Sequence, residues 1–273
     1  MIIVSAASGT LGRLVVRQLL TRLPADRIAV AVRHPARSAE LAALGVAVRH
    51  GDYDDPASLR SAFRGAERLL LISSPELAPD RRIRQHLAAI EAASANRVRA
   101  IAYTSFLGAD RDGAGMNAAH HATEQAIIDS GLGYAMLRNP FYTEAFINAG
   151  LRDAVESGRL TSGTGGRGLN TALRADLAAA AATVLTDDAH LGRGYDLTGP
   201  RWTYPQLAEV LSETTGRRVD YREATDETPG PMGFLMGLAR SGALERQTDD
   251  LAGLLGRPPA TLRQAVANAL DEG

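Results

Sequence analysis

Short apolar segments rich in β-branched residues alternate with longer segments whose apolar positions recur every three to four residues. The short segments predict six strands, at residues 2–6, 28–32, 46–50, 68–73, 98–104 and 134–138. The longer ones predict five helices, at residues 13–23, 36–44, 56–63, 80–95 and 117–130. Apolar strands separated by helices are typical of a parallel sheet covered on both faces. The pattern therefore predicts an α/β, Rossmann-type doubly wound parallel sheet with right-handed crossovers.

This alternation changes after residue 138. The remaining chain predicts helices at 144–156, 175–185 and 204–214, strands at 195–197 and 219–221, and a Gly-rich loop at 162–168. Prolines and glycines interrupt the apolar residues of 225–237, which predicts a loop or lid that enters a helix. We expect a Rossmann domain at 1–140, with 141–273 completing the same structural unit and forming a small C-terminal substrate-binding lobe.

Composition excludes several kinds of chemistry. Thirty basic and 31 acidic residues give a net charge of −1, without the basic excess of a nucleic-acid-binding domain. All the basic residues are arginine and cysteine is absent, which excludes lysine Schiff bases, thiolate nucleophiles and Cys-ligated metals. No apolar stretch is long enough to span a membrane, and no signal peptide begins the chain. We therefore expect a cytoplasmic monomer or homodimer that binds a small molecule, and neither nucleic acid, a membrane nor a metal.

The most informative segment follows the first predicted strand and opens the first helix. Gly9 and Gly12 hold the second and third glycine positions of a dinucleotide-binding fingerprint, and Ala6 holds the first. Glycine allows backbone amides to approach a pyrophosphate, which the N-terminus of the helix then stabilises. A ligand-free turn could carry the same glycine pair, but its place in a βαβ unit favours a cofactor. The candidate phosphate-binding residues are Ala7, Ser8, Gly9, Thr10, Leu11 and Gly12.

The end of the second strand indicates which cofactor is preferred. Enzymes that prefer NAD place an acidic residue there, whereas an arginine accommodates the 2′-phosphate of NADP. This strand is followed by Arg33, and the next acidic residue is Glu40. The sequence therefore predicts NADPH, with NADH less favoured.

Short motifs occur in a fixed order along the chain. Five of them lie at the ends of predicted strands: Val32-Arg33-His34-Pro35, Gly51-Asp52-Tyr53-Asp54, Leu71-Ile72-Ser73-Ser74, Tyr103-Thr104-Ser105 and Arg138-Asn139-Pro140-Phe141-Tyr142. A sixth, His120-His121-Ala122-Thr123-Glu124, lies in the predicted helix at 117–130. In this order, and over nearly the whole chain, they resemble the atypical short-chain dehydrogenases/reductases of the NmrA-like group. Within that group, the chain is most similar to the NAD(P)H-dependent quinone oxidoreductase 2 type. The motifs are specific for the group and not for a substrate.

The resemblance implies a cofactor site at the carboxyl ends of the strands: Asp52 and Tyr53 at the adenine, Ile72, Ser73 and Ser74 along the ribose and nicotinamide, Thr104 and Ser105 under the nicotinamide, and Asn139, Pro140, Phe141 and Tyr142 over the nicotinamide and substrate. Ligands of open α/β sheets bind at this edge. Asp52 could instead be a turn or N-cap residue, as could Asp54. Ser73 and Ser74 could simply be a polar strand end.

The chain departs from the superfamily pattern at the usual Tyr-x-x-x-Lys pair. Counting back from Glu124 places His120 at the lysine position and Met116 at the tyrosine position. The quinone reductase-like type also has a histidine here and no tyrosine. His120 could donate a proton or could hold the ribose, and the sequence leaves both roles open. His121 points about 100° away on the helix and is expected to face solvent.

Two kinds of function fit these residues. An NADPH-dependent oxidoreductase could transfer a hydride to a quinone or a similar conjugated carbonyl, which demands little acid catalysis from the protein. Phe106, Met116, Phe141 and Tyr142 are its candidate substrate-binding residues, although each could instead pack in the core. A non-catalytic NmrA-like redox sensor also fits, as does a pathway-specific natural-product reductase or cyclase.

Overall fold

Seven strands form one fully parallel sheet in the computed structural model, which describes residues 1–111, 113–224 and 230–271. Numbered in chain order, they are β1 (Ile2–Ser5), β2 (Ile28–Val32), β3 (Ala47–His50), β4 (Arg68–Leu71), β5 (Ala100–Phe106), β6 (Gly133–Asn139) and β10 (Arg193–Asp196). Their order across the sheet is β10-β6-β5-β4-β1-β2-β3. The order reverses between β1 and β4, where doubly wound sheets bind ligands. The predicted fold class is confirmed.

Five helices connect these strands: α1 (Thr10–Leu20), α2 (Ala39–Ala43), α3 (Pro56–Ala62), α4 (Pro79–Ala95) and α5 (Ala118–Asp129). Every strand and helix predicted up to residue 138 is present, with its ends within three residues of the prediction. Strands β1, β2, β4 and β5 are buried because both of their faces are largely apolar, as Ile3 and Val4 of β1 illustrate, whereas the edge strands β3 and β10 are mostly exposed or half-buried. This packing fixes the carboxyl ends of the strands along one edge.

Helix α1 begins at Thr10, three residues earlier than predicted, because Gly9 is its N-cap and has an extended backbone (φ −75°, ψ 163°). Helix α3 begins where predicted. The carboxylate of Asp55 accepts hydrogen bonds from the amides of Ala57 and Ser58, and Pro56 occupies the first helical position. Asp55, rather than Asp52 or Asp54, therefore caps α3.

The remaining strands form two small sheets. They are β7 (Phe141–Tyr142), β8 (Arg159–Ser162), β9 (Leu169–Ala172), β11 (Arg201–Trp202) and β12 (Asp220–Glu223), in the orders β11-β9-β7 and β12-β8. The remaining helices are α6 (Leu151–Ser157), α7 (Arg174–Thr186), α8 (Tyr204–Thr215), α9 (Gly230–Arg240), α10 (Asp250–Leu255) and α11 (Leu262–Asp271). Trp202, Leu207 and Leu211 lie in the core of this part of the chain.

One helix prediction here is wrong over its first half. A short 3-10 turn (Thr143–Ala145) replaces the start of the predicted helix 144–156, and α6 begins only at Leu151. The side chain of Asn148 accepts a hydrogen bond from the amide of Gly150 at 3.0 Å. Asparagine side chains compete in this way with helical backbone bonds.

The Gly-rich loop at 162–168 is ordered by side chains of its own part of the chain. The carboxylate of Glu223 accepts the amide of Gly165 at 2.7 Å, and that of Glu245 accepts the amide of Gly168 at 3.0 Å. Two of the amides that a phosphate could have used are therefore engaged by carboxylates.

Contacts between Cα atoms divide the chain into two compact units. The first comprises Met1–Asn139 and Leu177–Leu197, and the second comprises Pro140–Asp176 and Thr198–Gly273. The predicted boundary between residues 140 and 141 stays a prediction. Of the predicted loop or lid at 225–237, residues 225–229 lie outside the described residues, and the rest lies in α9. Within the described residues, no helix is long and apolar enough to cross a membrane.

Candidate active site

A tight turn joins β1 to α1. Ala6 adopts a left-handed backbone (φ 48°), and its carbonyl accepts the amide of Gly9 at 3.1 Å. The fingerprint has its first glycine at this position because the turn requires that conformation. An alanine tolerates it at a cost of roughly 1–2 kcal/mol. Alanine in place of the first glycine of the fingerprint therefore preserves the shape of the turn.

The two glycines of the turn serve different purposes. A Cβ atom on Gly12 would lie 2.6 Å from the Cα of Ala7, so that α1 can approach the turn only without a side chain there. A Cβ atom on Gly9 would meet only the Ala6 carbonyl, at an ordinary 3.5 Å. Gly9 is exposed, as are Ser8 and Thr10, at the N-terminus of α1. The neighbouring protein atoms thus leave room for a side chain at position 9. A ligand bound at this turn would explain why the residue has none.

Of the six predicted phosphate-binding residues, three are exposed and three are buried. Ser8, Gly9 and Thr10 present backbone to solvent, whereas Ala7, Leu11 and Gly12 pack inside. The buried three support the turn, and the exposed three are in position to contact a pyrophosphate.

Arg33 is exposed at the end of β2 and forms no ion pair with the described residues. A nearby carboxylate, Asp54, already has a partner in Arg81, whose Nη2 lies 2.9 Å from its Oδ2. The pKa of Asp54 is below its ordinary value because Arg81 and Gln85 hydrogen-bond it and because Arg33 adds positive charge. The guanidinium of Arg33 is thus available to an anion such as a 2′-phosphate.

Asp52 and Tyr53 both make bonds within the protein. The carboxylate of Asp52 accepts the amide of Asp54 at 3.1 Å, which is a turn interaction. The hydroxyl of Tyr53 donates to the carbonyl of Ile72 at 2.5 Å and lies 2.6 Å from the hydroxyl of Ser5. Burial raises the pKa of Tyr53 well above its ordinary value. Ser5, which the sequence analysis did not identify, accepts the amide of Ile72 at 2.9 Å and so links β1 to the segment after β4.

The segment after β4 is fixed by its neighbours. The amide of Ser73 donates to the hydroxyl of Thr104 at 2.9 Å. Ser74 is buried, and its amide donates to Nε2 of His86 at 2.9 Å. Because Nε2 accepts this bond, a neutral His86 carries its proton on Nδ1 and donates it to Thr123, 2.8 Å away. Burial, with a smaller effect of nearby positive charge, lowers the pKa of His86 to about 3.

His120 lies in α5 beside two aromatic rings. Its Nδ1 is 2.9 Å from the hydroxyl of Tyr103, and its ring centroid is 5.9 Å from that of Tyr103 and 5.9 Å from that of Phe106. Burial and the charge of Arg82 lower the pKa of His120 to about 3. The imidazole is therefore neutral at pH 7. His121 is exposed, as expected, and its Nδ1 lies 2.8 Å from the carbonyl of Ala109.

Ser105 is bound to a buried ionic group. Its hydroxyl donates to Glu124 at 2.5 Å, and Arg138 donates to both oxygens of the same carboxylate, at 2.9 and 2.7 Å. Asp110 and Asp196 lie near the other end of the Arg138 guanidinium, at 3.4 and 3.8 Å. The hydroxyl of Ser105 is thus engaged inside the protein.

The candidate substrate residues lie in both units. In the first, Phe106 is half-buried and Met116 is exposed in the turn Gly115–Asn117, while Asn139 is buried at the end of β6. In the second, Pro140 is buried, whereas Phe141 and Tyr142 are half-buried. The rings of Phe141 and Phe146 pack edge to face at 6.4 Å, and Arg174 lies 4.3 Å over the ring of Tyr142.

Comparison with known proteins agrees with this geometry. The sequence profile of a family described as NAD(P)H-binding matches residues 6–188. The chain belongs to this NAD(P)H-binding family. It is 39% identical to quinone oxidoreductase 2 of Escherichia coli K12, over 99% of both chains.

Solved structures of two family relatives match nearly the whole chain. Triphenylmethane reductase from Citrobacter sp., in complex with NADP(H), has a TM-score of 0.94 and 36% identity over 99% of this chain and 100% of the other. The NADPH complex of the E. coli NADPH-dependent quinone oxidoreductase has a TM-score of 0.87 and 38% identity over 98% and 99%. These relatives are reductases, and the chain shares their Rossmann-like fold.

Sequence reasoning gave no role to four residues of the candidate site: Ser5, Arg82, His86 and Tyr103. Each is a polar or aromatic residue within a strand or helix, outside the loops that the fingerprint describes. The only signal in the sequence is that Ser5 and Tyr103 lie near the carboxyl ends of otherwise apolar strands.

Proposed function

We propose that the protein is an NADPH-dependent oxidoreductase that transfers a hydride to a quinone or a similar conjugated carbonyl. The observation that carries the proposal is the turn at Gly9. It exposes backbone at the N-terminus of α1, beside the switch point of the sheet, and has space for a side chain that the sequence does not use. The NADP(H)-bound relatives support the same assignment.

The residues present fit this cofactor. Ser8, Gly9 and Thr10 would hold the pyrophosphate, Arg33 the 2′-phosphate, and the segment from Ile72 to Ser74 the ribose and nicotinamide. The reduced nicotinamide supplies the hydride when bound, so that the protein mainly binds and orients the two reactants. Position 116, where the superfamily has its tyrosine acid, is methionine. A quinone suits such a site because its reduction demands little acid catalysis from the protein.

A direct test has two steps. NADPH titration, followed by nucleotide fluorescence, should give saturable binding. NADPH oxidation should then be recorded spectrophotometrically over a panel of quinones, enones and imines, and we expect turnover to be fastest with quinones. Binding without turnover of any acceptor would refute the oxidoreductase proposal and favour a redox sensor.

Arg33→Ala should weaken NADPH binding by about ten- to a hundredfold, because one charge-assisted phosphate contact is worth roughly 1.5–3 kcal/mol. NADH affinity should hardly change, since NADH lacks the 2′-phosphate. Arg17→Ala is the matched control because Arg17 is also exposed but lies in the last turn of α1. Dissociation constants for both cofactors check this prediction. Equal losses for NADPH and NADH would show that Arg33 does not contact the 2′-phosphate.

Turnover at saturating substrate should be independent of pH between about 5 and 8. Burial lowers the pKa of His120 from its ordinary 6.5 to about 3. In the folded protein this imidazole is therefore neutral throughout the range from pH 5 to 8. A catalytic imidazolium would instead lose activity as the pH rises through its pKa. A kcat profile with a step near neutrality would show that His120 titrates during catalysis.

A further inference from the structure

His120 lies beside a buried tyrosine and near a cation of α4. The hydroxyl of Tyr103 lies 2.9 Å from Nδ1 of His120. The guanidinium of Arg82 donates to the hydroxyl of Ser73, and its charge acts on both Tyr103 and His120. Tyr103 is fully buried and His120 is 6% exposed, so their hydrogen bond lies inside the first unit.

The burial of Tyr103 sets the direction of its bond to His120. A buried hydroxyl proton without an acceptor is costly, and Nδ1 of His120 at 2.9 Å can accept it. Tyr103 can then give its own proton to Nδ1 of His120. A neutral imidazole that accepts at Nδ1 carries its proton on Nε2. Among the described residues, Nε2 of His120 has no hydrogen-bond partner.

We propose that Tyr103 is a positioning residue that holds His120 as a neutral Nε2–H donor to the acceptor oxygen that becomes negative, and that the charge of Arg82 strengthens this donor. This inference rests on the proposed function. A donor fixed in a site with little water stabilises developing charge more than water does, because it need not reorient. The nearby charge of Arg82 also favours negative charge that develops in a medium of low dielectric. The site would thus stabilise an oxyanion without a lysine, which this chain lacks, and without a tyrosine at position 116.

The proton balance favours a hydrogen bond over proton transfer. The acceptor gains two electrons and one hydrogen as hydride, which leaves one negative charge on its oxygen. If His120 gave up its Nε2 proton, Nδ1 would have to take the proton of Tyr103, leaving a buried tyrosinate. Burial raises the pKa of Tyr103 well above its ordinary value, which opposes that ion. The proton that completes the reduction therefore comes from water, which is left as hydroxide.

The tautomer of His120 can be measured without cofactor or substrate. In ¹⁵N-histidine-labelled protein, the two ring nitrogens give distinct signals according to which one carries the proton. The protein has six histidines, and His120→Gln identifies the signals that belong to this one. We expect the Nε2–H form at pH 7. The Nδ1–H form would mean that the hydrogen bonds run in the opposite direction, and the proposal would be wrong.

Tyr103→Phe removes the donor to Nδ1 and cannot directly remove a ligand contact, because Tyr103 is fully buried. We expect both tautomers of His120 to be populated and kcat to fall about tenfold or more, toward the hundredfold loss typical of a missing oxyanion donor. The NADPH dissociation constant should stay within twofold. Tyr134→Phe is the matched control, since Tyr134 is half-buried near the start of β6. Unchanged kcat in Tyr103→Phe, or an equal loss in Tyr134→Phe, would overturn the proposal.

Two variants of Arg82 test whether its charge contributes to turnover. Arg82→Lys, which keeps a cationic donor, should retain more turnover than Arg82→Met, and Arg84→Met on the exposed face of α4 should match the wild type. Equal losses in Arg82→Lys and Arg82→Met would argue against a role for the charge. A wild-type protein that binds NADPH but reduces no acceptor would defeat the proposed function. The tautomer measurement would still decide the direction of the hydrogen bonds.

Discussion

Gly9→Val is expected to lower NADPH affinity at least about a hundredfold while leaving the protein folded. The exposed backbone at Gly9 is where a pyrophosphate would lie against the N-terminus of α1. An isopropyl group there would occupy the space of the phosphate oxygens and remove their bonds to the backbone. A hundredfold loss corresponds to about 2.7 kcal/mol, close to two charge-assisted hydrogen bonds.

The fold should tolerate this change. The nearest atom to a Cβ on Gly9 is the Ala6 carbonyl oxygen at 3.5 Å, and φ of −75° with ψ of 163° suits a β-branched residue. We expect a change in the free energy of unfolding of at most about 1 kcal/mol, from the lost preference for glycine at an N-cap. NADPH titration and urea unfolding measure the two effects separately.

Gly12→Ala is the informative contrast. Its Cβ would lie 2.6 Å from the Cα of Ala7, so that α1 or the turn must move. Overpacking of this kind costs about 1–3 kcal/mol in the free energy of unfolding. A Gly9→Val protein that unfolds like Gly12→Ala, or one that still binds NADPH normally, would contradict the assignment of the two glycines.

Most of the central sheet could be predicted because its inner strands are largely apolar on both faces and are separated by helices with a regular period. The second unit was less predictable, for an identifiable reason. Strands β7 and β11 have two residues each, too few to show any alternation. At Asn148, a side-chain bond to the backbone ended a helical pattern that looked continuous in the sequence.

The candidate site was also predictable only in part. Gly9, Gly12 and Arg33 could be found because the fingerprint fixes their spacing and their place after a strand. Arg82 and Tyr103 could not, because their roles depend on which side chains meet when α4 and α5 pack beside β5. The cytoplasmic location and the oligomeric state stay predictions.

Arg138→Met is expected to destabilise the protein by about 3–5 kcal/mol, because it leaves a buried carboxylate without its partner. Arg138 donates to both oxygens of Glu124, at 2.9 and 2.7 Å, and the two side chains are only 14% and 6% exposed. Asp196, whose side chain is 6% exposed, would lose part of its positive surroundings too, although Arg111 remains 3.4 Å away. Urea unfolding of the variant measures the loss.

A second variant shows whether the isolated charge is the cause. Glu124→Gln combined with Arg138→Met removes both charges, and the amide oxygen can still accept the hydroxyl of Ser105. We expect the double variant to recover about half of the lost stability, because most of the cost of breaking a buried pair is the ion left behind.

Arg218→Met is the exposed control: Arg218 lies 2.9 Å from Asp220, but these side chains are 84% and 55% exposed. Its loss should stay below about 1 kcal/mol, since water screens such pairs. An equal loss in the free energy of unfolding for Arg138→Met and Arg218→Met would contradict this expectation, because the Arg138–Glu124 pair would then be as well solvated as a surface pair. The hydroxyl of Ser105 would in that case be freer to contact a ligand than its bond to Glu124 implies.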